Sequence, residues 1–264
     1  MRRHYSFFSK NNLTQRSRGA EAQRKAKKKR YFHSFAGAPQ VHVVSWLLLL
    51  SVGLLLAVSC VDLGNLGGGA VPDECRPHGF LFADEFDGSQ QCGWALYSQG
   101  GASVNIQDDS LRISTSQIGE IWWTNPGRRF DDTIITVVAR QASGPDNNAY
   151  GVICRYQNER NFYIFLISGD GYYAIGKYQS GSDRIIYLTE DGQYQFSDMI
   201  NQGVATNQIR ASCIGNELSL AVNGIPLINV TDSAFATGDI GLGVSALAAG
   251  TAVVEFDTIR VMEP

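Results

Sequence analysis

From residue 79 onward, short apolar and β-branched runs alternate with turn residues along the chain. Apolar side chains at every second position are typical of strands that bury one face only. Because these runs recur at regular spacing and are followed by Gly, Asn or Asp, the pattern predicts an all-β sandwich or barrel. The predicted strands span residues 103–107, 110–115, 120–124, 133–140, 149–156, 161–168, 171–178, 183–188, 207–214, 217–223, 225–230, 239–246 and 252–261.

Turn signals predict how several of these strands pair. Asn223-Gly224 is a strong two-residue hairpin signal, and Gly215-Asn216, Asn158-Glu159 and Gly169-Asp170 are further candidates. If the last two are two-residue turns, strands 149–156, 161–168 and 171–178 share two faces, which a bulge would exchange partway along. One face would carry Val152, Cys154, Tyr156, Tyr163, Phe165, Ile167, Tyr172 and Tyr178, and the other Ile153, Arg155, Phe162, Ile164, Leu166, Tyr173, Ile175 and Lys177.

A different apolar pattern precedes the strands. Residues 43–57 form an uncharged run of signal-peptide length, and extension to residue 61 makes it long enough to cross a bilayer. The string LAVSC at residues 56–60 resembles the lipobox of bacterial lipoproteins, which implies lipidation of Cys60. Ala57 departs from that motif, which prefers a larger aliphatic residue there. An uncleaved membrane anchor and full secretion are the alternatives.

Charge divides the chain into two parts. Residues 1–40 hold eleven Lys or Arg and one acid, whereas the rest holds eleven basic and 24 acidic residues, so the formal net charge of -3 hides two opposite halves. A basic segment before an apolar run holds the N-terminus in the cytoplasm. The acidic remainder argues against nucleic acid as a partner.

These features predict the domain organisation. Residues 1–40 form a basic cytoplasmic leader, residues 41–60 a signal peptide with lipobox or a membrane anchor, and residues 61–78 a flexible Gly-rich linker. Residues 79–264 form the folded domain, which we expect on the extracytoplasmic face of the cell membrane, attached through a lipid or a single N-terminal span.

Four cysteines follow Cys60, and an even number in an exported domain suggests two disulfides. We favour Cys75 with Cys92, which lie close together around the first strand, and Cys154 with Cys213, which lie in strand-like segments. A metal site is the competing interpretation, but Cys-x-x-Cys spacing is absent and histidine is almost absent after residue 60.

The second disulfide would set the polarity of one sheet. Cys213 shares its strand face with Ile209 and Ala211, which is an apolar core face. A bridge to Cys154 would therefore turn the face of Cys154 inward. The opposite face, with Arg155, Tyr173 and Lys177, would then point outward.

The segment AYGVICRYQNERNFYIFLISGDGYYAIGKY, followed by NQIRASCIGNELSLAVNGIPLINVTD, DIGLGVSA and FDTIRV, resembles a concanavalin A-like lectin/glucanase jelly roll. Within that superfamily it is most similar to the laminin-G-like and 3-keto-disaccharide hydrolase domains of bacterial surface proteins. The likeness covers about residues 79–261 and implies a two-sheet antiparallel β-sandwich. It says little about activity, because this fold hosts lectins, glycosidases and adhesion modules.

Sequence motifs for catalysis are scarce. His78 is the only histidine after residue 60, and the chain has no Gly-x-Ser-x-Gly, His-Glu-x-x-His or phosphate-binding glycine loop. A carboxylate pair remains as a route to glycan cleavage. The Glu-x-Asp-x-x-Glu string of the superfamily's β-glucanases is absent, however, so the sequence favours a protein that is not an enzyme.

Two acids are candidate ligands of a structural calcium ion. Asp84 and Asp257 lie on what we take to be the first and last strands, and related sandwiches often hold Ca²⁺ with carboxylate and carbonyl oxygens. No other cofactor is expected. The alternative for Asp84 and its neighbours Glu85 and Asp87 is that they are solvated turn residues.

Sugar sites combine an aromatic platform with a few polar groups. Arg155, Tyr173 and Lys177 on the predicted outward face fit this combination, with Trp122 or Trp123 beside them if their strand joins the sheet. Adjacent strand residues point to opposite faces, so at most one of these tryptophans faces the core. The alternative is that Arg155 pairs with an acid and the tyrosines simply pack.

The expected function is therefore a membrane-anchored extracytoplasmic domain that binds carbohydrate or another cell-envelope glycan without cleaving it. A glycan-cleaving enzyme of the 3-keto-disaccharide hydrolase type is the first alternative. A structural or adhesion module that binds protein is the second.

Overall fold

The computed structural model describes residues 75–88 and 91–264. A short 3-10 turn spans Glu190–Gly192. The strands, in chain order, are β1 (Phe82–Asp84), β2 (Tyr97–Gln99), β3 (Ala102–Gln107), β4 (Ser110–Thr115), β5 (Ile121–Thr124), β6 (Thr133–Ser143), β7 (Asn148–Asn158), β8 (Asn161–Ile167), β9 (Tyr172–Tyr178), β10 (Ile186–Tyr187), β11 (Gln195–Phe196), β12 (Thr206–Ile214), β13 (Glu217–Val222), β14 (Ile225–Thr231), β15 (Asp239–Ala246) and β16 (Ala252–Met262).

These strands form two antiparallel sheets. The nine-stranded sheet has the order β14-β13-β12-β6-β16-β4-β3-β2, with β1 paired to β16. The seven-stranded sheet has the order β10-β9-β8-β7-β15-β5, with β11 paired to β9. Neighbours in each sheet are often distant in sequence, as expected for a jelly roll. The predicted all-β, two-sheet antiparallel sandwich is confirmed.

The main core lies between the sheets and follows from side-chain alternation, and a second apolar cluster is buried on the outer face of the seven-stranded sheet. On β6, Ile135, Val137 and Ala139 are fully buried, whereas the residues between them are only half-buried. Leu242 and Val244 meet this layer from β15 in the other sheet. Because full burial of a large aliphatic side chain contributes about 1.5–3 kcal/mol, this alternation specifies which face of each strand turns inward.

Both predicted disulfides are present. Cys75 pairs with Cys92 at a Cα–Cα distance of 5.7 Å, and Cys154 pairs with Cys213 at 6.9 Å. The second bridge joins β7 to β12 and so links the two sheets. Cys75 is fully buried, so the ordered domain includes residues at the end of the predicted linker.

Two of the predicted hairpins have the expected two-residue turns. Val222 pairs with Ile225 across Asn223-Gly224, and Ile214 pairs with Glu217 across Gly215-Asn216. Asn223 and Gly224 have φ values of 53° and 82°, the left-handed conformation that a type I′ turn requires.

The turn between β8 and β9 is one residue longer than predicted. Ile167 pairs with Tyr173, and Ser168 accepts a hydrogen bond on its side-chain oxygen from the backbone N–H of Tyr172. Gly171 takes a φ of 87° and closes the loop with a hydrogen bond to the Ser168 carbonyl. A one-residue shift turns every β9 side chain to the opposite face. The predicted faces are therefore correct for most of β7 and β8 but exchanged on β9.

Within the described residues, no helix is long and apolar enough to cross a membrane. The predicted leader, the apolar run, most of the linker and the candidate lipidation site Cys60 lie outside the described residues.

Candidate functional site

Arg155, the first predicted sugar-binding residue, is buried, so the prediction that it faces outward is wrong. It lies in a bulge of β7 with a φ of 51°, and only 2% of it is exposed. Its guanidinium donates to the carbonyl oxygens of Gly215 at 2.7 Å and Phe235 at 2.9 Å, and to a carboxylate oxygen of Asp132 at 2.9 Å. Arg155 therefore pairs with an acid and ties three chain segments together, which was the alternative interpretation.

Lys177 and Tyr173 face the interior of the sandwich, because the longer turn exchanges the faces of β9. Tyr173 is half-buried and packs against the core. The ammonium of Lys177 donates to one carboxylate oxygen of Asp232 at 2.5 Å, and the hydroxyl of Tyr163 donates to the other at 2.6 Å. Burial opposes ionisation of Asp232, but the hydrogen bonds from Lys177 and Tyr163 outweigh it and lower its pKa. The predicted outward orientation of Tyr173 and Lys177 is wrong.

The two adjacent tryptophans divide between the faces of β5, as strand geometry requires. Trp122 faces inward, is 2% exposed and lies against Tyr97, with ring centroids 6.1 Å apart. Trp123 faces outward and is half-buried. Of the five predicted sugar-binding residues, the structure thus brings only Trp123 to an outer sheet face.

Trp123 belongs to a group of four rings that we call the aromatic cluster. Its members are Trp123 on β5, Tyr156 on β7, Phe162 on β8 and Tyr178 on β9. The ring centroid of Trp123 lies 6.2 Å from that of Tyr156 and 5.6 Å from that of Phe162, and Phe162 lies 5.9 Å from Tyr178. Offset or tilted rings at these distances attract one another beyond the effect of area burial. Trp123 and Tyr156 are its two half-buried members.

Glycines on β15 allow the cluster to form. β15 lies between β5 and β7, so Trp123 and Tyr156 contact each other across an intervening strand. The outward positions of β15 between them include Gly241 and Gly243, which carry no side chain to separate the rings. A Cβ atom at Gly241 would lie only 2.5 Å from the side-chain nitrogen of Asn125, so the glycine is also required by close packing.

A buried carboxyl group lies beside the aromatic cluster. Asp239 pairs with Tyr156 in the sheet and is 7% exposed. Its two oxygens accept hydrogen bonds from the backbone N–H groups of Gly127 and Ile240, each at 2.8 Å. Burial outweighs these hydrogen bonds and raises the pKa of Asp239 to about 7. Asp239 therefore changes charge near neutral pH.

Tyr156 contacts Trp123 of the aromatic cluster and also interacts with two acidic side chains. Burial raises the pKa of its phenol, and the negative charges of Glu159 and Asp239 raise it further. The indole of Trp123 contributes a hydrogen bond to Tyr156 that acts in the opposite direction. The outer face of the seven-stranded sheet thus presents the half-buried rings of Trp123 and Tyr156, tilted by 56° to each other, over a buried apolar cluster and close to two acidic side chains.

Sequence reasoning found Trp123 but missed its partners. Strict alternation places Tyr156 and Tyr178 on the inward face and Phe162 on the outward face. It does so because it takes no account of the bulge in β7 or of the longer turn before β9. A signal for the turn was available, since the string SGDG supplies a second glycine at Gly171. Asp239 opens a predicted strand, but nothing in its sequence context indicates burial.

The two calcium candidates lie on paired strands, as expected. Asp84 on β1 pairs with Ile259 of β16, two residues from Asp257. However, the oxygens of Asp84 accept hydrogen bonds from the backbone N–H of Phe86 and the indole N–H of Trp94, both at 2.8 Å. No group of three or more His, Cys, Asp or Glu suited to a metal occurs in residues 75–88 and 91–264. A calcium role for Asp84 and Asp257 stays a prediction.

The described domain has the two-sheet jelly-roll fold that the resemblance of the sequence implied. No protein-family model matches the chain, and no curated protein matches it. Solved structures share its fold at low identity. The carbohydrate-binding module CBM66 from Bacillus subtilis matches with a TM-score of 0.53 and 13% identity, over 65% of this chain and 96% of that one.

Two further structures with this sandwich come from glycoside hydrolase families. A GH16 protein from a Bacteroides ovatus mixed linkage glucan PUL, in complex with a product, matches with a TM-score of 0.51 and 11% identity over 69% of this chain and all of that one. The GH43 BlXynB protein from Bacillus licheniformis matches with a TM-score of 0.51 and 13% identity, over 69% of this chain but only 39% of that one. At these identities the likeness shows the fold alone.

Proposed function

We propose that the domain binds carbohydrate, without cleaving it, on the outer face of the seven-stranded sheet. The observation that carries the proposal is the aromatic cluster, whose half-buried rings of Trp123 and Tyr156 lie next to the carboxyl group of Asp239. A sugar ring packs its apolar face on such rings and directs its hydroxyls to polar groups at the edge. The fold supports the proposal, since sandwiches of this type include a carbohydrate-binding module.

The polar edge of the site would select the orientation of the sugar. Both oxygens of Asp239 accept hydrogen bonds from backbone N–H groups, so its carboxyl group is held in one orientation. A carboxyl group held in this way can accept hydrogen bonds from sugar hydroxyls at little further cost in side-chain entropy. Glu159, on the neighbouring turn, is close enough to raise the pKa of Tyr156.

Binding of cell-wall saccharides by the full chain tests the proposal. Isothermal titration and a glycan array should show binding that Trp123→Ala abolishes or weakens by about tenfold or more, because stacking on one aromatic ring contributes on the order of 1–2 kcal/mol. Phe196→Ala is the matched control, since Phe196 is an exposed aromatic residue on β11 outside the cluster. Absence of binding to every saccharide, or equal loss in both variants, would refute the proposal.

Cleavage of the bound glycan is a second candidate, favoured by one observation. A carboxylic acid with a pKa near 7 is suited to general acid catalysis, and burial raises the pKa of Asp239 to about 7. Reducing-end release from polysaccharides by the full chain would support this candidate if Asp239→Asn abolished it. Binding without any product favours the non-catalytic function.

We further propose that the domain works outside the cytoplasm, attached to the membrane through lipidated Cys60 or through residues 43–57. Two disulfides support export, because such bonds persist in oxidising compartments. Mass spectrometry of the mature N-terminus distinguishes the two attachments. A diacylglyceryl-modified Cys60 at the N-terminus supports lipidation, whereas an unmodified Cys60 in an intact leader leaves only the anchor.

A further inference from the structure

A concave surface lies on the outer face of the nine-stranded sheet, on the opposite side of the sandwich from the aromatic cluster. It is a groove of about 570 Å³ over β6, β12, β13 and the edge strand β14. Its polar lining comes from Gln208, Arg210, Ser212, Ser219 and Asn229. Its apolar lining includes Ile134, Ile214 and Leu227. We call it the β12–β14 groove.

A bulge in the edge strand gives the groove its shape. Leu220 pairs with Ile228, whereas Ala221 pairs with Pro226, so Leu227 is an extra residue on β14. A bulge bends its strand and increases the local twist, and therefore β14 does not continue as a flat extension of the sheet. Pro226 lacks a backbone N–H, which makes this edge a poor template for another strand. The surface is thus shaped for a ligand other than an added β-strand.

Arg210 supplies the charge in this groove. Its strand neighbours Ile209 and Ala211 are fully buried, so Arg210 points to the outer face. It lies between two small residues, Thr136 on β6 and Ala221 on β13, which leave space around its guanidinium. Among the described residues, no carboxylate lies within salt-bridge distance of Arg210, whereas the neighbouring Arg260 pairs with Glu85 at 3.0 Å.

The positive charge of the β12–β14 groove contrasts with the acidic composition of the folded part of the chain. No Asp or Glu lines the groove, although acids outnumber bases about two to one in the chain after residue 40. A guanidinium without a protein counter-ion presents a rigid fork of donors that matches a carboxylate or a sulfate. The groove therefore has the charge expected for an anionic ligand.

The remaining lining groups of the β12–β14 groove carry no charge. The hydroxyls of Ser212 and Ser219 face each other across the strand pair and are hydrogen bonded. The side-chain amides of Gln208 and Asn229 can both donate and accept, and the leucine and isoleucine side chains offer apolar surface. Such a mixture suits a polyhydroxylated ring with one acidic substituent.

We propose that the β12–β14 groove is a second ligand site, which binds a sugar carrying one carboxylate or sulfate group through Arg210. This site is independent of the aromatic cluster, because the two lie on the outer faces of different sheets.

Titration calorimetry on the full chain, with three tetrasaccharide probes of equal length, tests this second site. The probes are galactose tetrasaccharides in which one residue carries a carboxylate (a single galacturonate), one residue carries a sulfate group, or no residue is charged. We expect at least one anionic probe to bind more tightly than the uncharged one. Arg210→Gln should weaken that binding by about tenfold or more, since a hydrogen bond to a charged group is lost. Which anionic probe binds identifies the acidic group.

The matched control is Arg260→Gln, which removes the same charge from the same sheet face on the other side of Thr136. Arg260→Gln should leave the affinity for the anionic probe within twofold of that of the unaltered chain, and Trp123→Ala should also leave it unchanged. Equal weakening by Arg210→Gln and Arg260→Gln would show general attraction to the face and overturn the proposal. So would equal affinity for charged and uncharged probes. If the aromatic cluster does not bind sugar, Trp123→Ala will leave the affinity for the uncharged probe unchanged. This outcome is distinct from failure of the β12–β14 groove to bind an anionic probe.

Discussion

The guanidinium of Arg155 lies 2.9 Å from a carboxylate oxygen of Asp132, and the two side chains differ sharply in exposure. Only 1% of the Arg155 side chain is exposed, against 44% of the Asp132 side chain. A buried charge with a half-exposed partner needs further acceptors, and the carbonyl oxygens of Gly215 and Phe235 supply them. The arginine is therefore a structural link between three segments at one end of the sandwich.

Replacement of Arg155 by Met should destabilise the domain strongly. The variant leaves the carbonyl oxygens of Gly215 and Phe235 without their donor, at about 1–3 kcal/mol for each buried group, whereas half-exposed Asp132 keeps the hydrogen bond from the backbone N–H of Gly215. Urea unfolding of the full chain, followed by near-ultraviolet circular dichroism, measures this loss. Arg160→Met is the control, because Arg160 is exposed on the next turn and should change stability by less than about 0.5 kcal/mol. Similar stability of both variants would contradict the structural role.

The raised pKa of Asp239 predicts how stability depends on pH. Burial raises the pKa of Asp239 in the folded state to about 7, whereas the unfolded chain releases this proton near the ordinary value of 3.8. Between these values the folded state binds more protons, so stability falls as pH rises, by up to about 1.4 kcal/mol per pH unit from this group. Well below pH 3.8 and well above pH 7 the contribution of this group is constant.

Asp239→Asn isolates this contribution from the other acids. The variant loses one hydrogen-bond acceptor at every pH, which is a constant offset, but it should be relatively more stable than the parent as pH rises from 4 to 7. Urea unfolding at four pH values measures the difference. A constant difference between the parent and Asp239→Asn over this range would show that Asp239 does not titrate there.

The two disulfides should stabilise the domain unequally. The bridge between Cys154 and Cys213 closes a loop of 59 residues, and the bridge between Cys75 and Cys92 closes one of 17. The loss of chain entropy in the unfolded state then corresponds to roughly 4 and 3 kcal/mol, respectively. Paired Cys→Ala variants of each bridge, compared by urea unfolding, test this order. A greater loss for the shorter loop would indicate that packing around Cys75 outweighs chain entropy.

The sequence was sufficient to predict those parts of the fold that local rules decide. Alternation placed Ile209, Ala211 and Cys213 on a core face, and Asn223-Gly224 defined its hairpin, because side-chain period and turn chemistry are local properties. The disulfide pattern followed from cysteine number and spacing. None of these predictions required knowledge of contacts between residues that are distant in sequence.

The candidate site could not be predicted in the same way. One extra residue in the turn at Gly171 exchanged the faces of β9, and a bulge at Arg155 changed the direction of Tyr156. Errors of one residue have little effect on strand boundaries but reverse which side chains meet a ligand. The burial of Asp239 depends on the loop at Gly127, which is distant in sequence, so its perturbed pKa had no local signal.

A final prediction separates a structural role of Lys177 from the ligand-binding role that the sequence suggested. Lys177 and Tyr163 both donate to Asp232, and Tyr163 also accepts a hydrogen bond from the backbone N–H of Phe235 at 3.1 Å. Both Lys177→Met and Tyr163→Phe should therefore lower the free energy of unfolding by about 1–3 kcal/mol, since each leaves a partly buried group without its partner. Affinity for an uncharged saccharide, measured at a temperature where both variants are folded, should stay within twofold of that of the unaltered chain. Loss of affinity in Lys177→Met with full stability and normal binding by Tyr163→Phe would show instead that Lys177 contacts the sugar.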